Sequence, residues 1–311
     1  MKILVTGANG QLGHDVVNEL VRRGHEAIAS DITPAYSGIA DGTAVCAAPW
    51  VQMDITDAEA VRHLMDAAAP DAVIHCAAWT AVDAAEDDAN REKVYAINAG
   101  GTRNLAEAAR DRDAKFMYIS TDYVFSGRGE RPWQPDDGDF APLNVYGDSK
   151  LEGEKAVREC VGKHFIVRIA WVFGRSGKNF IKTMLRVGKT HDTVRVVDDQ
   201  IGTPTYTLDL SRLLSDMIET EKYGTYHATN AEEAPGAFIS WADFAEEIYR
   251  AAGMHTQVER VTTAEYGLSK AARPYNSRLD KSKLMQAGFA PLPCWKDAVA
   301  RYVAELDLEE L

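Results

Sequence analysis

The opening thirteen residues restrict this chain's architecture more than any other stretch. Lys2–Thr6 is a short, nearly all-apolar run of the kind buried in a parallel sheet, and Gly7-Ala-Asn-Gly10-Gln-Leu-Gly13 follows without a gap. Leu12–Arg23 then takes helical spacing, with Leu12, Val16, Leu20 and Val21 expected to face inward. A strand, a glycine turn and a helix in immediate succession make a βα unit. The glycines let the backbone turn sharply, approach a pyrophosphate, and pack helix on strand, while the helix N-terminus faces the anion. The spacing is G-x-x-G-x-x-G, one residue longer than the common G-x-G-x-x-G fingerprint. Gly7, Gly10, Gln11, Leu12 and Gly13 are therefore candidate dinucleotide contacts.

The alternation continues. Strands are expected at Glu26–Ser30, Trp50–Met53, Ala72–Cys76, Lys115–Ser120 and His164–Ala170. Helices are expected at Asp57–Ala68 (with Thr56 as cap), at Arg91–Arg110, and around Tyr146 and Lys150. Thr33–Pro49 and the stretch from Ser126 to Pro142 read as long loops. Repeated βα units imply a doubly wound, Rossmann-type parallel sheet covered on both faces. Beyond Gly174 the pattern becomes mixed, with helices at Asn179–Val187, Leu208–Ile218, Ser240–Ala251 (capped by Ser240) and Cys294–Glu305, and a strand at Thr193–Val197. The expected division is a nucleotide-binding domain of residues 1–171 plus about 193–228. A smaller mixed α/β substrate domain of about 172–192 plus 229–311 would lie over the sheet's carboxyl edge.

A formal charge of −13, from 34 basic and 47 acidic residues, argues against a nucleic-acid or acidic-membrane partner. An anionic ligand would need local help from helix N-termini and a few chosen cations. Cys46, Cys76, Cys160 and Cys294 lie far apart with no C-x-x-C, as expected of free thiols in a reducing compartment. The chain opens directly on a strand and has no apolar run near the ~18 residues of a bilayer span. A cytoplasmic protein with no membrane contact is the expectation.

Chemistry-bearing residues fall at strand ends. Asp31 closes the second strand, where a carboxylate can accept from adenosine ribose hydroxyls; no Arg stands beside it for a 2′-phosphate, which leans toward NADH over NADPH. Asp54 ends the next strand, near where an adenine would lie. Ala77 and Ala78 follow the fourth strand, small enough for a cofactor to pass. Thr121 closes the fifth strand, where its hydroxyl can donate to a carbonyl. Tyr146 and Lys150, four apart on a helix, face the same way, and the ammonium is expected to lower the phenol toward working pH. Asn98, within its helix, could kink it and hold a water that relays protons to Lys150.

These features, in sequence order, resemble the extended short-chain dehydrogenase/reductase family over essentially the whole chain. Within it they are similar to reductases of dTDP-linked 4-keto-6-deoxy sugars. The blocks are Ala77-Ala-Trp-Thr-Ala-Val-Asp83, Ser120-Thr-Asp-Tyr-Val-Phe125, Pro142-Leu-Asn-Val-Tyr-Gly-Asp-Ser-Lys150, Arg168-Ile-Ala-Trp-Val-Phe173, Lys178-Asn-Phe-Ile-Lys-Thr-Met-Leu185, Asp199-Gln-Ile-Gly-Thr-Pro-Thr205 and Ala272-Arg-Pro-Tyr-Asn-Ser-Arg-Leu279. The resemblance implies Tyr146 as proton donor, Lys150 as its tuner and Thr121 as second donor, with NADPH or NADH as reductant. It puts Thr121, Asp122, Trp171, Asn179, Arg273 and Asn276 at a dTDP-sugar. Some relatives hold magnesium at a dimer interface through acidic side chains. Asp15 matches one such position but Leu208, beside Asp209, stands at the other, so magnesium and the choice of monomer or homodimer stay open. A sugar-nucleotide dehydratase would carry Glu where Tyr123 stands, and an epimerase Ser in place of Thr121-Asp122. A non-catalytic regulatory subunit of this fold, like that of methionine adenosyltransferase, has no physical reason to keep Thr121, Tyr146 and Lys150 together.

Overall fold

The computed structural model describes residues 1–308. The apolar run Lys2–Thr6 forms strand β1 and Gln11–Arg22 helix α1, joined by the glycine turn. Gly7 has φ +71°, and a Cβ there would stand 2.6 Å from the Ala77 nitrogen; a Cβ on Gly13 would meet the Gly7 carbonyl oxygen at 2.2 Å. Only glycine fits this crossing of two chain segments. Glu26–Asp31 is β2, Trp50–Gln52 β3, Ala58–Ala68 α2 and Ala72–His75 β4. Short α3 (Val82–Ala85) precedes α4 (Asp88–Tyr95), which runs through a π-helical turn at Ala96–Gly101 into α5 (Thr102–Asp111). Lys115–Thr121 is β5, Val145–Cys160 α6 and His164–Ile169 β6.

The remainder is built of smaller pieces: β7 (Val172–Phe173), α7 (Phe180–Gly188), β8 (Thr193–Val197), β9 (Ile201–Gly202), β10 (Thr205–Tyr206), α8 (Thr207–Ile218) and β11 (Gly224–His227). After them come β12 (Ile239–Ser240), α9 (Trp241–Ala251), β13 (Gln257–Val261), α10 (Thr263–Tyr266), α11 (Ser282–Gln286) and α12 (Trp295–Ala304).

Seven strands form one sheet in the order β11-β6-β5-β4-β1-β2-β3, every pair parallel. One face buries Val16, Val17 and Leu20 of α1 with Leu210, Leu213 and Leu214 of α8. The other buries Val61 and Met65 of α2 with Leu105 and Ala109 of α5. This is the doubly wound α/β fold expected of the βα repeat. A separate core of Phe173, Tyr206, Phe244, Trp295 and Tyr302 joins the small strands to α7, α9 and α12.

Several local expectations need correction. Val21 is 40% exposed, because the inward stripe of α1 runs through Val17 instead. The cap of α2 is Asp57, whose carboxylate accepts from the nitrogens of Glu59 and Ala60; Thr56 instead donates to Asp54. The single helix expected at Arg91–Arg110 is interrupted by the π turn around Asn98. The reading of 193–228 as part of the larger unit fails for its small strands: β8 pairs with β13 beneath α9, β9 with β12 and β10 with β7, so these belong with the smaller unit.

Candidate active site

The carboxyl ends of β1, β2, β4, β5 and β6 open on a cavity of about 720 Å3. Such edges are where open α/β sheets hold ligands, because the helix N-termini converge there. At one end of the cavity lie Gly7, Gly10, Gln11, Leu12 and Gly13. Asp31 lines it beside them, its two oxygens accepting from the backbone nitrogens of Asn9 (3.1 Å) and Ile32 (2.8 Å). Asp54, Ala77 and Ala78 complete this half. The cations on the wall are Lys93, Lys150 and Lys178, and no arginine is among the lining residues.

The other half holds Thr121, Asp122, Tyr146, Lys150 and Trp171. Tyr146 stands in the first turn of α6, which starts because the Asn144 side chain accepts from Gly147 N at 2.8 Å. Gly147 is needed there: a Cβ would lie 2.4 Å from the Tyr123 carbonyl oxygen. That close approach brings α6 onto the end of β5, so that Thr121 and Tyr146 share one wall of the cavity. The Thr121 hydroxyl also lies 3.0 Å from Asp122 Oδ1 and accepts from Tyr123 N at 3.2 Å.

Charge states differ from the simplest sequence expectation. Burial pushes the Tyr146 phenol above its ordinary range, the neighbouring Thr121 hydroxyl opposes this, and Asp122 and Tyr123 add to it. The Lys150 Nζ sits 4.0 Å from the ring centroid of Tyr118. Burial pushes Lys150 itself down to about 7, against the pull of Glu154. Tyr146 thus keeps its proton at neutral pH, the state an acid requires. Asp122 is pushed up to about 6 by burial, with the nearby Ser277 and Thr121 hydroxyls opposing.

Beneath this layer is a buried polar floor. Glu154 of α6 and Arg168 of β6 are fully buried and joined by two contacts of 2.7 Å, and Ser120 donates to Glu154 at 2.6 Å. Asn98 in the π turn accepts from Trp79 N (2.8 Å) and donates to Ser149 Oγ (2.9 Å). Its amide ties the segment after β4 to α6 at the π-helical turn, and the side chain is committed to protein partners.

Three expected substrate residues do not line the cavity. Asn179 caps α7, accepting from Lys182 N (3.0 Å), and its amide nitrogen donates to Gln11, Gly174 and Tyr302. Buried Asn276 donates to the Arg131 carbonyl at 2.9 Å. Arg273 pairs with Asp83 at 2.6 Å and reaches the Tyr123 side chain, one residue removed from the wall. Conversely, Trp241 was not foreseen. It stacks on Trp171 with centroids 4.0 Å apart, and both line the cavity. Its signal was a tryptophan directly after the Ser240 cap of an amphipathic helix. Trp171 has φ +50°, an unusual backbone state for a bulky residue.

The acidic side chains at and beside the positions that hold magnesium in some relatives are engaged within the chain. Asp209 is engaged by Arg301 (2.7 Å) and Asn230 (2.9 Å), and Asp15 accepts from Thr207 at 2.5 Å. Among the described residues no group of three His, Cys, Asp or Glu side chains could hold a metal ion, and no helix is long and apolar enough to cross a membrane.

Comparison with known proteins agrees in extent with this architecture. The family model described as RmlD substrate binding domain matches residues 1–308. A dTDP-4-dehydrorhamnose reductase of Streptomyces griseus is 39% identical over 302 residues, covering 95% of this chain and 91% of the relative. A dTDP-4-keto-6-deoxy-D-glucose reductase of Streptomyces niveus is 34% identical over 308 residues, covering 99% of this chain and 98% of the relative. The crystal structure of dTDP-4-dehydrorhamnose reductase from Bacillus anthracis, in complex with NADP, superposes with a TM-score of 0.86 at 39% identity, covering 98% of this chain and all of that one.

Proposed function

The chain belongs to the RmlD substrate-binding-domain family of dTDP-4-dehydrorhamnose reductases, and from that premise we propose how its own residues carry the reaction. It is a nicotinamide-dependent oxidoreductase that reduces the C4 ketone of dTDP-4-dehydro-L-rhamnose to give dTDP-L-rhamnose. The observation that supports the residue roles best is the meeting of Tyr146, Thr121 and Lys150 in one cavity with the glycine turn.

The bound dihydronicotinamide supplies the hydride. Tyr146 holds its proton in the free site and gives it to the C4 oxygen as negative charge develops there. Thr121 donates a second hydrogen bond to the same oxygen and orients the phenol. Lys150 lowers the cost of the phenolate left after transfer. Gly7, Gly10 and the first turn of α1 carry the cofactor's pyrophosphate through backbone N–H groups, and Asp31 accepts from the adenosine ribose. Trp171 and Asp122 hold the sugar nucleotide, with Arg273 at its diphosphate. Residues 1–171 hold the cofactor, with α8 and β11 completing the same unit; the other elements after residue 171, β8, β9 and β10 among them, close over the substrate. The binding of NADH at least as well as NADPH, and work in the cytoplasm, complete the proposal. No step is routed through magnesium.

The name of the Streptomyces niveus relative supports a second product reading, a 6-deoxyhexose of different C4 or ring stereochemistry. Both readings meet one experiment. The full chain is supplied with dTDP-4-keto-6-deoxyglucose and NAD(P)H, with and without a 3,5-epimerase, and the product is identified by NMR. dTDP-L-rhamnose formed only with the epimerase supports the first reading. Reduction without the epimerase supports the second, and no cofactor oxidation in either arm refutes both.

A further inference from the structure

Tyr118 lies on β5, three residues before Thr121, and is fully buried without lining the cavity. Its ring nevertheless carries the Lys150 ammonium, 4.0 Å from the ring centroid and well within the ~6 Å over which an aromatic quadrupole attracts a cation. Its hydroxyl donates to the Lys150 backbone carbonyl at 3.2 Å. A second helix residue is shaped to this contact: a Cβ on Gly153 would lie 2.2 Å from the Tyr118 hydroxyl oxygen and 2.6 Å from the Asn98 carbonyl oxygen. Strand, π turn and α6 thus close around one phenol.

The groups facing Lys150 leave the ring little competition. Glu154 on the same helix carries negative charge, but Arg168, Arg158 and Ser120 hold its oxygens. From β4 come His75, held neutral by burial that pushes it down to about 3, and from the following residue Cys76, whose thiol burial pushes up to about 12. Tyr146, one turn earlier, keeps its proton. Burial, with Glu154 adding to it, likewise keeps Tyr118 a neutral phenol. The face of a neutral aromatic ring is then an electron-rich surface in direct contact with a buried ammonium.

We propose that Tyr118 is a positioning residue for the reduction: its ring seats the Lys150 ammonium and keeps it charged, and its hydroxyl fixes the backbone from which that side chain projects. This rests on the reading of Tyr146 and Lys150 above. The test replaces Tyr118 by Phe and then by mono-, di- and trifluorinated phenylalanine in the full chain, which preserves shape while draining the ring's negative face. kcat/KM for the keto sugar nucleotide is measured against pH, with Tm as a control for folding. Lys150 must be charged, so activity falls as pH rises through its folded pKa. Tyr118→Phe should leave that alkaline limb in place, and successive fluorines should move it stepwise to lower pH, by about one unit in all, equivalent to a tenfold change in the protonation equilibrium. A limb that stays put across the series at unchanged Tm overturns the proposal. Tyr146→Phe and Lys150→Met in the same assay separate the two levels. If both keep wild-type turnover, the underlying reading falls; if both lose it while the fluorinated series is flat, only the role of Tyr118 falls.

Discussion

The carboxylate of Asp83 holds Arg273 from two directions, binding the guanidinium at 2.6 Å with one oxygen and accepting from Ala271 N at 3.0 Å with the other. A helix of the large unit thereby anchors the segment that reaches toward the substrate half of the cavity. One carboxylate leaves most of a guanidinium's five donors unused. Arg273→Ala should therefore raise KM for the sugar nucleotide on the order of tenfold, as expected for a charge-assisted contact of ~1.5–3 kcal/mol. Cofactor Kd should stay near the wild-type value. Equal losses for both ligands in steady-state kinetics and equilibrium titration would rule out a contact specific to the substrate.

Tyr146→Phe should leave cofactor binding intact and reduce kcat by ~10²–10⁴-fold, the usual worth of a positioned general acid. The ring still packs against Tyr123, whose centroid is 5.6 Å away, so the fold is preserved. Turnover above about a tenth of wild type would remove the acid from Tyr146.

Asp31 presents a carboxylate at the ribose end of a wall that has lysines but no arginine. NADH should therefore bind at least as well as NADPH, and Asp31→Ala should shift the ratio of kcat/KM toward NADPH by relieving repulsion of the 2′-phosphate. A strong NADPH preference in the unaltered protein would be the contrary result.

Asp15 gives a prediction about stability. Burial pushes its carboxyl up to about 7, against the hydrogen bond from Thr207. A carboxyl whose folded pKa exceeds its unfolded one binds extra protons in the native state, so stability falls as pH rises from about 4 through 7. Asp15→Asn removes that liability while its side-chain oxygen can still accept from Thr207. Its Tm should exceed wild type at pH 8 by a few degrees, on the order of 1–2 kcal/mol, and the gap should narrow at pH 5. A difference that does not change with pH would show that Asp15 does not titrate there.

The sheet was legible because its signals are local and repeated: apolar runs such as Lys2–Thr6, each followed by a turn and an amphipathic helix. Thr121, Tyr146 and Lys150 were legible as a set because strand end and helix turn fix where each must point. Other features depend on neighbours remote in sequence. The choice of Asp57 over Thr56 as cap was a competition between adjacent candidates, decided when Thr56 turned to Asp54. Asn179 and Asn276 look like ligand amides in one dimension, yet backbone groups and the side chains of Gln11, Tyr302 and Arg278 occupy them, partners that only the folded chain supplies. The charge state of Tyr146 was misjudged for the same reason: spacing shows that Lys150 is near, but not how deeply the fold buries the phenol.

The buried Glu154–Arg168 pair has a bearing on redesign of this protein for other sugars. Removing one partner would strand the other's charge in the core, at a cost of roughly 3–5 kcal/mol, enough to consume much of a typical domain's stability. The pair also grips Ser120, the residue immediately before Thr121. Libraries aimed at new substrates should therefore leave the floor alone and vary the half-exposed aromatic wall, Trp171 and Trp241, where a change of shape alters what the cavity admits without unbalancing charge.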